Sequence, residues 1–473
     1  MWILGINLCC LPWFLGTMLL AGQIWSLVLA IIGFVCAFQA RASVDSHEAS
    51  DEPGSLLRRS GLTRFPPFWL GLGLLVYLLI QAANPSFKYA TSGGRWWLVT
   101  VRNRAWLPTS IESPFLQFNL WRQFIIYISA WLVMCSVWIG FTSRRALRIL
   151  LTVLVLNAVA VGALLVIQQL TADHRIPWPI AGWTALDLTA CFANRNLAGA
   201  YLALSVFPTI ALAIWFQDFG ERTLKKSTPA GIFALSAWFL ATVVVFTLSR
   251  GATLMMAGAI VMLGPWFFGL RRWGRPAKTT NRILGFVTIA IFGLLICVTI
   301  QSLDFTEMLS RIDQLAVQKE SEPSVHARLV ARAAALDMLR ATGGRGVGAG
   351  GFRFLFTEYA KKYPEIYRNG TVFWEHAHCD WLEVAIELGV IGDLALLSGA
   401  LWWVSHFVRS KIYWNPVVIP LLFGCFQTMA HAAFDFPFQC PAIMFTWVVL
   451  ITVAGKWAKL SAGDSEIEPA AGR

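Results

Sequence analysis

The sequence predicts an all-α integral membrane protein with about twelve transmembrane helices and one large, partly helical outer loop between the ninth and tenth. Of its 473 residues, 57% are hydrophobic and 14% are charged, whereas soluble proteins average about 45–50% and about 25%. This composition excludes an ordinary soluble enzyme, and 23 Trp with 33 Phe exclude a disordered chain. The net charge of +12 indicates basic cytoplasmic loops, since no nucleic-acid motif accompanies it.

Transmembrane spans are predicted wherever about 20 consecutive residues are apolar, the length that crosses the hydrocarbon core. The runs lie near 2–20, 22–39, 66–83, 122–141, 147–168, 196–216, 230–248, 252–270, 282–303, 382–407, 415–434 and 440–459.

The first run lacks a basic n-region and a small-residue cleavage site, so we expect a retained anchor. The nine cysteines have no repeated CxxC spacing and are expected to be core residues.

Basic residues in the short connections predict the orientation, because Lys and Arg resist translocation. The connection 271–282 contains five basic residues and no acidic residue, so it is expected on the cytoplasmic side. Counting spans from it places further basic residues on that side: Arg58, Arg59, Arg64, Arg144, Arg145, Arg148, Arg222, Lys225, Lys226, Arg409 and Lys411. Both termini are then cytoplasmic.

This orientation predicts the domain organisation. Helices one to nine occupy 1–303 and helices ten to twelve occupy 382–460, followed by a cytoplasmic tail at 461–473. Three segments lie on the outer face, where chemistry is expected: 84–121, 169–195 and the large loop 304–381.

The large loop is predicted to contain a helix over 321–340. Ser321 is a candidate N-cap, and the pair Gly343-Gly344 ends the helix. Arg328 and Arg332 are four residues apart and share a helix face. The glycine-rich stretch that follows lacks the Gly-Lys-Ser/Thr of a phosphate-binding loop, so its glycines are expected to permit a tight turn or close approach to a head group.

The stretch Glu375-His376-Ala377-His378-Cys379-Asp380, followed by Glu383 and Glu387, is the densest in chemical groups. A neutral imidazole can take a proton from an alcohol near neutral pH, which is general-base chemistry. Alternatively, both histidines cap the next helix or bond loop carbonyls. His-x-His beside Cys and Asp also offers metal-ligand types, but ligands usually come from separated segments, so no metal is expected.

Three arginines in separate outer segments could bind a pyrophosphate together. Arg250 lies in a three-residue connection between apolar helices, Arg195 begins the sixth span, and Arg328 lies in the large loop. Alternatively, Arg250 only reaches towards the membrane interface. His431 and Asp435 are four apart at the outer end of the eleventh span and are therefore expected to share a helix face, where they could orient a neighbouring group or form a structural pair within the helix.

The order of these motifs resembles that of the O-antigen ligase and polymerase superfamily. The motifs are Asn194-Arg195-Asn196 at a helix start, Ser249-Arg250-Gly251 after another helix, Arg328 before Gly346-x-Gly348, and His376-Ala377-His378 before Glu387-Leu388-Gly389. Relatives usually have Asn where this chain has Cys379. Relatives also often have an aromatic residue a few positions after the loop arginine. This chain lacks it and has Ala333 and Ala334 nearby.

The resemblance implies a glycosyltransferase of the bacterial inner membrane, acting in lipopolysaccharide biosynthesis with its active site facing the periplasm. It would move a glycan from undecaprenyl pyrophosphate to an acceptor hydroxyl on lipid A core or a similar glycan, with no cofactor and no nucleic acid. Position in the family makes His378 the first candidate for the base and His376 the second, with Arg195, Arg250 and Arg328 on the pyrophosphate. Supporting roles fall to Asn194, Asn196, Asp380, Glu387, His431 and Asp435.

Three alternatives remain at this point. A polysaccharide polymerase would use the same donor with a second lipid-linked unit as acceptor. A polysaccharide or lipid transporter would need ionisable groups near the membrane midplane, where Asp393 is an exception among mostly uncharged spans. An inert scaffold would not need Arg195, Arg250, Arg328 and His378 to converge.

Overall fold

The computed structural model describes residues 1–48, 61–171, 188–224, 227–268, 325–367 and 373–467. We number the helices of these residues α1 to α14. They are Trp2–Trp13, Leu20–Glu48, Pro66–Ala82, Leu120–Gly140, Arg144–Thr171, Arg195–Thr223, Ala230–Phe246, Arg250–Phe268, Val325–Thr342, Phe352–Ala360, Pro364–Tyr367, Asp380–Arg409, Val418–His431 and Pro441–Ile467. A helix occupies each of the other eleven predicted spans, whereas the ninth, 282–303, and the basic connection 271–282 lie outside the described residues.

Length and composition confirm a helical membrane protein. Within the described ranges, six helices are long and apolar enough to cross a bilayer: α2, α4, α5, α6, α12 and α14. The helices α1, α3, α7 and α13 are also apolar but have 10–17 residues. The helical membrane class is therefore supported. The count of twelve spans stays a prediction.

The outer segment 84–121 contains a small sheet that the all-α prediction omits. Its strands are β1 (Pro85–Ser92), β2 (Arg95–Thr100) and β3 (Ser110–Glu112), in the order β2-β1-β3. The β1–β2 pair is antiparallel around Gly93 and Gly94, both with positive φ, and two glycines suit such a two-residue hairpin turn. The side chain of Trp96 packs edge-on against Phe354, with ring centroids 6.1 Å apart.

The chain divides into two units by its internal contacts. Unit 1 comprises Met1–Leu154, Leu329–Lys411 and His431–Arg473, and unit 2 comprises Val155–Arg328 and Ile412–Ala430. One buried cluster of unit 1 contains Leu78, Ala349 and Leu388, and one of unit 2 contains Ile214, Leu263 and Trp266.

Helix α12 is broken at Gly389, which has φ +65° and ψ −173°. Backbone groups exposed by the break bond the glycine-rich turn after α9. Val347 N donates to Ile386 O, Gly348 N to Glu387 O and Val390 N to Gly344 O, at 2.9–3.0 Å. The predicted end of α9 at Gly343 and Gly344 is confirmed, since both have positive φ, while the predicted start at Ser321 lies outside the described residues.

Candidate active site

The first histidine of the motif is bonded to a carboxylate of the next helix. His376 Nδ1 lies 2.8 Å from Glu383 Oε1, and Ala377 N donates to Glu383 Oε2 at 2.8 Å. Glu383 is in the first turn of α12, so the loop before the helix folds back over its start. Both side chains are buried, with 5% and 2% of their surface exposed.

The environment of His376 keeps its imidazole neutral. Burial, followed by the charge of Arg353, lowers the pKa of His376 to about 3. Its ring stacks on Phe436 with centroids 4.5 Å apart. Its Nε2 is buried and has no hydrogen-bond partner within the described part of the chain. A group with so low a pKa takes up a proton only weakly near neutral pH.

The second histidine is bonded to a carboxylate from a distant segment. His378 Nδ1 lies 3.2 Å from Asp435 Oδ1, which also accepts a hydrogen bond from Phe436 N at 3.1 Å. The Phe436 ring lies edge-on to His378 at 4.9 Å, and Trp374 lies edge-on at 5.8 Å. A carboxylate at Nδ1 orients an imidazole and stabilises its protonated form.

Asp435 lies in a turn and not on the helix that the sequence predicts. Helix α13 ends at His431, and Asp435 N donates to His431 O at 3.0 Å in the turn that follows. The expectation that the two side chains share one helix face is therefore wrong. From this turn, the Asp435 carboxylate contacts His378.

The remaining acids of the motif join neighbouring segments. Asp380 begins α12, and its Oδ2 accepts a hydrogen bond from Phe438 N at 2.8 Å. Glu387 Oε1 accepts a hydrogen bond from Phe352 N, the first residue of α10, at 3.1 Å. The supporting roles of Asp380 and Glu387 stay a prediction.

An arginine that sequence reasoning did not select supports the histidine loop. Arg332 Nη2 donates to His378 O at 2.9 Å and to Ala433 O at 2.8 Å. Glu383 is also absent from the predicted site residues. The signal for Arg332 is its position four residues after Arg328 on the same helix, and the signal for Glu383 is its closeness to the histidine motif.

The three predicted pyrophosphate-binding arginines belong to unit 2, whereas both histidines belong to unit 1. Arg195 is the first residue of α6, where the Asn194 side chain accepts a hydrogen bond from Asn196 N at 2.6 Å. Arg250 is the first residue of α8. Convergence of arginines and histidines on one ligand stays a prediction.

Within unit 2, the starts of α6 and α8 are in contact. A Cβ atom on Gly199 would lie 2.8 Å from Ser249 Cβ and 3.0 Å from Ala252 Cβ. Gly199 is about one turn after Arg195, and Ser249 directly precedes Arg250. Free N–H groups and the dipole at helix starts favour anions, so this pair of helix starts suits a phosphate.

The clustered groups can perform acid–base chemistry on a hydroxyl. They provide two imidazoles with orienting carboxylates, in a loop next to a predicted membrane surface. In the ranges that the structure describes, no group of three or more His, Cys, Asp or Glu side chains is arranged to hold a metal ion.

Comparison with known proteins identifies one family. A search of curated proteins found no match. Residues 235–397 match the family model described as O-antigen ligase, and this range contains Arg250, Arg328, the histidine motif and Glu387. The match supports a function of the ligase or polymerase type in a bacterial membrane. The match over residues 235–397 supports the resemblance to the O-antigen ligase superfamily that the order of the motifs indicates.

Proposed function

We propose that the chain is a glycosyltransferase at the periplasmic face of the bacterial inner membrane. It moves a glycan from undecaprenyl pyrophosphate to an acceptor hydroxyl and uses neither a metal nor a nucleotide. The observation that carries this proposal is the hydrogen bond between His378 and Asp435, which couples a base inside the range that matches the O-antigen ligase model to an orienting acid beyond it.

In the proposed reaction, His378 takes the proton of the acceptor hydroxyl. The acceptor oxygen then forms a bond to the anomeric carbon of the donor sugar, while the bond from that carbon to the pyrophosphate oxygen breaks. The proton stays on the imidazolium until solvent accepts it. Because one bond forms opposite the one that breaks, the anomeric configuration is inverted.

The choice of His378 over His376 rests on electrostatics. The carboxylate of Asp435 stabilises the positive charge that His378 acquires. By contrast, the pKa of His376 near 3 makes that imidazole a poor proton acceptor, so His376 is proposed to orient the loop.

The leaving pyrophosphate is proposed to bind Arg195, Arg250 and Arg328. Guanidinium groups hold phosphate oxygens with paired hydrogen bonds and stabilise the negative charge that develops as the bond breaks. The contact between the starts of α6 and α8 supports the pairing of Arg195 with Arg250.

The distribution of buried charge favours a transferase over a transporter. In the described residues, the buried Arg, His, Asp and Glu side chains are Arg122, His376, His378, Asp380, Glu383, Glu387, His431 and Asp435. All except Arg122 come from the histidine loop, the start of α12, the end of α13 and the turn that follows α13. A transport path would instead distribute such groups along the spans.

A reconstitution experiment tests this function and separates a ligase from a polymerase. Purified protein in vesicles receives an undecaprenyl-pyrophosphate glycan, either with lipid A core or with donor alone. We propose a ligase, so product is expected only with lipid A core. Lengthening of the donor glycan would instead establish the polymerase. Absence of product in both reactions, or retained anomeric configuration, would contradict the proposal.

A further inference from the structure

Arg332 in α9 connects the two segments that supply His378 and Asp435. We propose that Arg332 is a positioning residue: by donating hydrogen bonds to backbone carbonyls of both segments, it keeps the side chains of His378 and Asp435 within hydrogen-bond distance of each other. The inference rests on the proposed function, in which the His378 imidazole is the base. It concerns a residue outside the three arginines assigned to the pyrophosphate.

The geometry shows one nitrogen serving two backbone carbonyls. Arg332 Nη2 donates to His378 O at 2.9 Å and to Ala433 O at 2.8 Å. The first carbonyl is that of His378, whose imidazole is the proposed base. The second lies two residues before Asp435, in the turn after α13. A single guanidinium therefore fixes the separation between the two segments.

The backbone of His378 makes this support necessary. Its φ is +49°, a left-handed conformation that is uncommon for residues with a Cβ and whose energetic cost the surrounding contacts must offset. Because the carbonyl accepts the Arg332 hydrogen bond, this contact holds the peptide after His378 in place. Without it, the loop can return to an ordinary conformation, and the imidazole would turn away from Asp435.

The surroundings of Arg332 strengthen these bonds. Its guanidinium lies over the Phe434 ring, with Cζ 5.6 Å from the centroid, which limits its movement. Its Nε is buried and has no hydrogen-bond partner among the described residues. A hydrogen bond from a charged donor away from water is strong, and removing the donor leaves two carbonyls without it.

Kinetics of Arg332→Met and Arg332→Lys test the proposal, with Arg340→Met as the matched control. Arg340 is on the same helix, with 77% of its side chain exposed, and pairs with Asp337. We expect kcat of Arg332→Met to fall about 100-fold, the loss that a small misplacement of a reacting group causes, while the KM for the donor stays unchanged. Arg332→Lys keeps the charge without the planar donor geometry and should lose activity to a lesser extent. Arg340→Met should behave as wild type.

A double-mutant cycle with Asp435→Asn separates positioning from other roles. If Arg332 acts through the His378–Asp435 pair, Arg332→Lys should add little to the loss caused by Asp435→Asn alone. Additive losses would overturn the proposal. A raised donor KM with unchanged kcat would also overturn it, because Arg332 would then bind the donor.

A spectroscopic measurement tests the positioning without any activity. The chain has seven histidines, so ¹⁵N-histidine spectra in detergent can be assigned with His378→Asn. The His378 ring signals should shift in Arg332→Lys and not in Arg340→Met; unchanged signals would overturn the positioning role. If wild-type protein is inactive in the transfer assay while the His378 signals still shift in Arg332→Lys, only the proposed function is refuted and the positioning role stands.

Discussion

Substituting Gly389 should uncouple the glycine-rich turn from α12. A Cβ atom at Gly389 would lie 2.4 Å from Gly344 O, 2.6 Å from Gly346 N and 2.7 Å from Arg345 C. All three are backbone atoms, so no side chain can move aside. The φ and ψ of Gly389 also lie in a region that is essentially restricted to glycine.

The magnitude follows from two contributions. The backbone conformation costs about 1–3 kcal/mol with a Cβ present. Separating the turn from the helix also loses hydrogen bonds such as those from Val390 N to Gly344 O and from Val347 N to Ile386 O, at about 1 kcal/mol each. Gly389→Ala is therefore expected to lower the free energy of unfolding by about 3–5 kcal/mol.

The assay is SDS-induced unfolding of the purified protein in detergent, followed by circular dichroism. Gly399→Ala is the matched control, because Gly399 is in the same helix and a Cβ there meets nothing within 4 Å. This control should be neutral or stabilising by up to about 1 kcal/mol. Equal unfolding free energies for Gly389→Ala and wild type would refute the argument.

Three further predictions concern the histidine loop. Asp435→Asn should lower kcat at least about 100-fold in the transfer assay, because the amide no longer stabilises protonated His378. His376 has a lowered pKa, so the unfolded chain binds a proton that the native chain does not. Unfolding free energy should therefore fall by up to about 1.4 kcal/mol per pH unit from about pH 6.5 towards 3, unlike in His376→Asn. Cys379→Asn should raise that free energy by about 1 kcal/mol, since Cys379 provides no side-chain cap for α12.

The contradicting results are equally specific. Unchanged kcat in Asp435→Asn would remove the acid from the mechanism. An equal pH dependence of unfolding in wild type and His376→Asn would place the titration elsewhere. Cys379→Asn protein that is no more stable than wild type would show that the added amide does not cap α12.

The membrane helices could be predicted from the sequence because an apolar run of about 20 residues has few stable structures other than a transmembrane helix. The sheet was missed although Gly93-Gly94 lies between two runs of strand-forming residues, a recognised hairpin signal. The break at Gly389 was also missed, since one glycine within an apolar helix is a weak signal. Only the fold shows that its partner is the glycine-rich turn.

The histidine motif could be selected from residue types and order, but its partners could not. Glu383 follows His376 by seven residues, and their contact depends on the loop folding back over the start of α12. Asp435 is 57 residues from His378, so no local pattern links them. The same limit applies to Arg332, whose two acceptors are 46 and 101 residues away.

The most direct test of the account compares His378→Asn with His376→Asn in single-turnover glycan transfer. Asparagine can keep a hydrogen bond to the carboxylate in either position but cannot accept the proton, so folding and base function are separated. With equal amounts of folded protein, His378→Asn should transfer about 100-fold or more slowly than wild type, and His376→Asn should retain most of the rate. The reverse order, or full activity of His378→Asn, would contradict the assignment of His378 as the base.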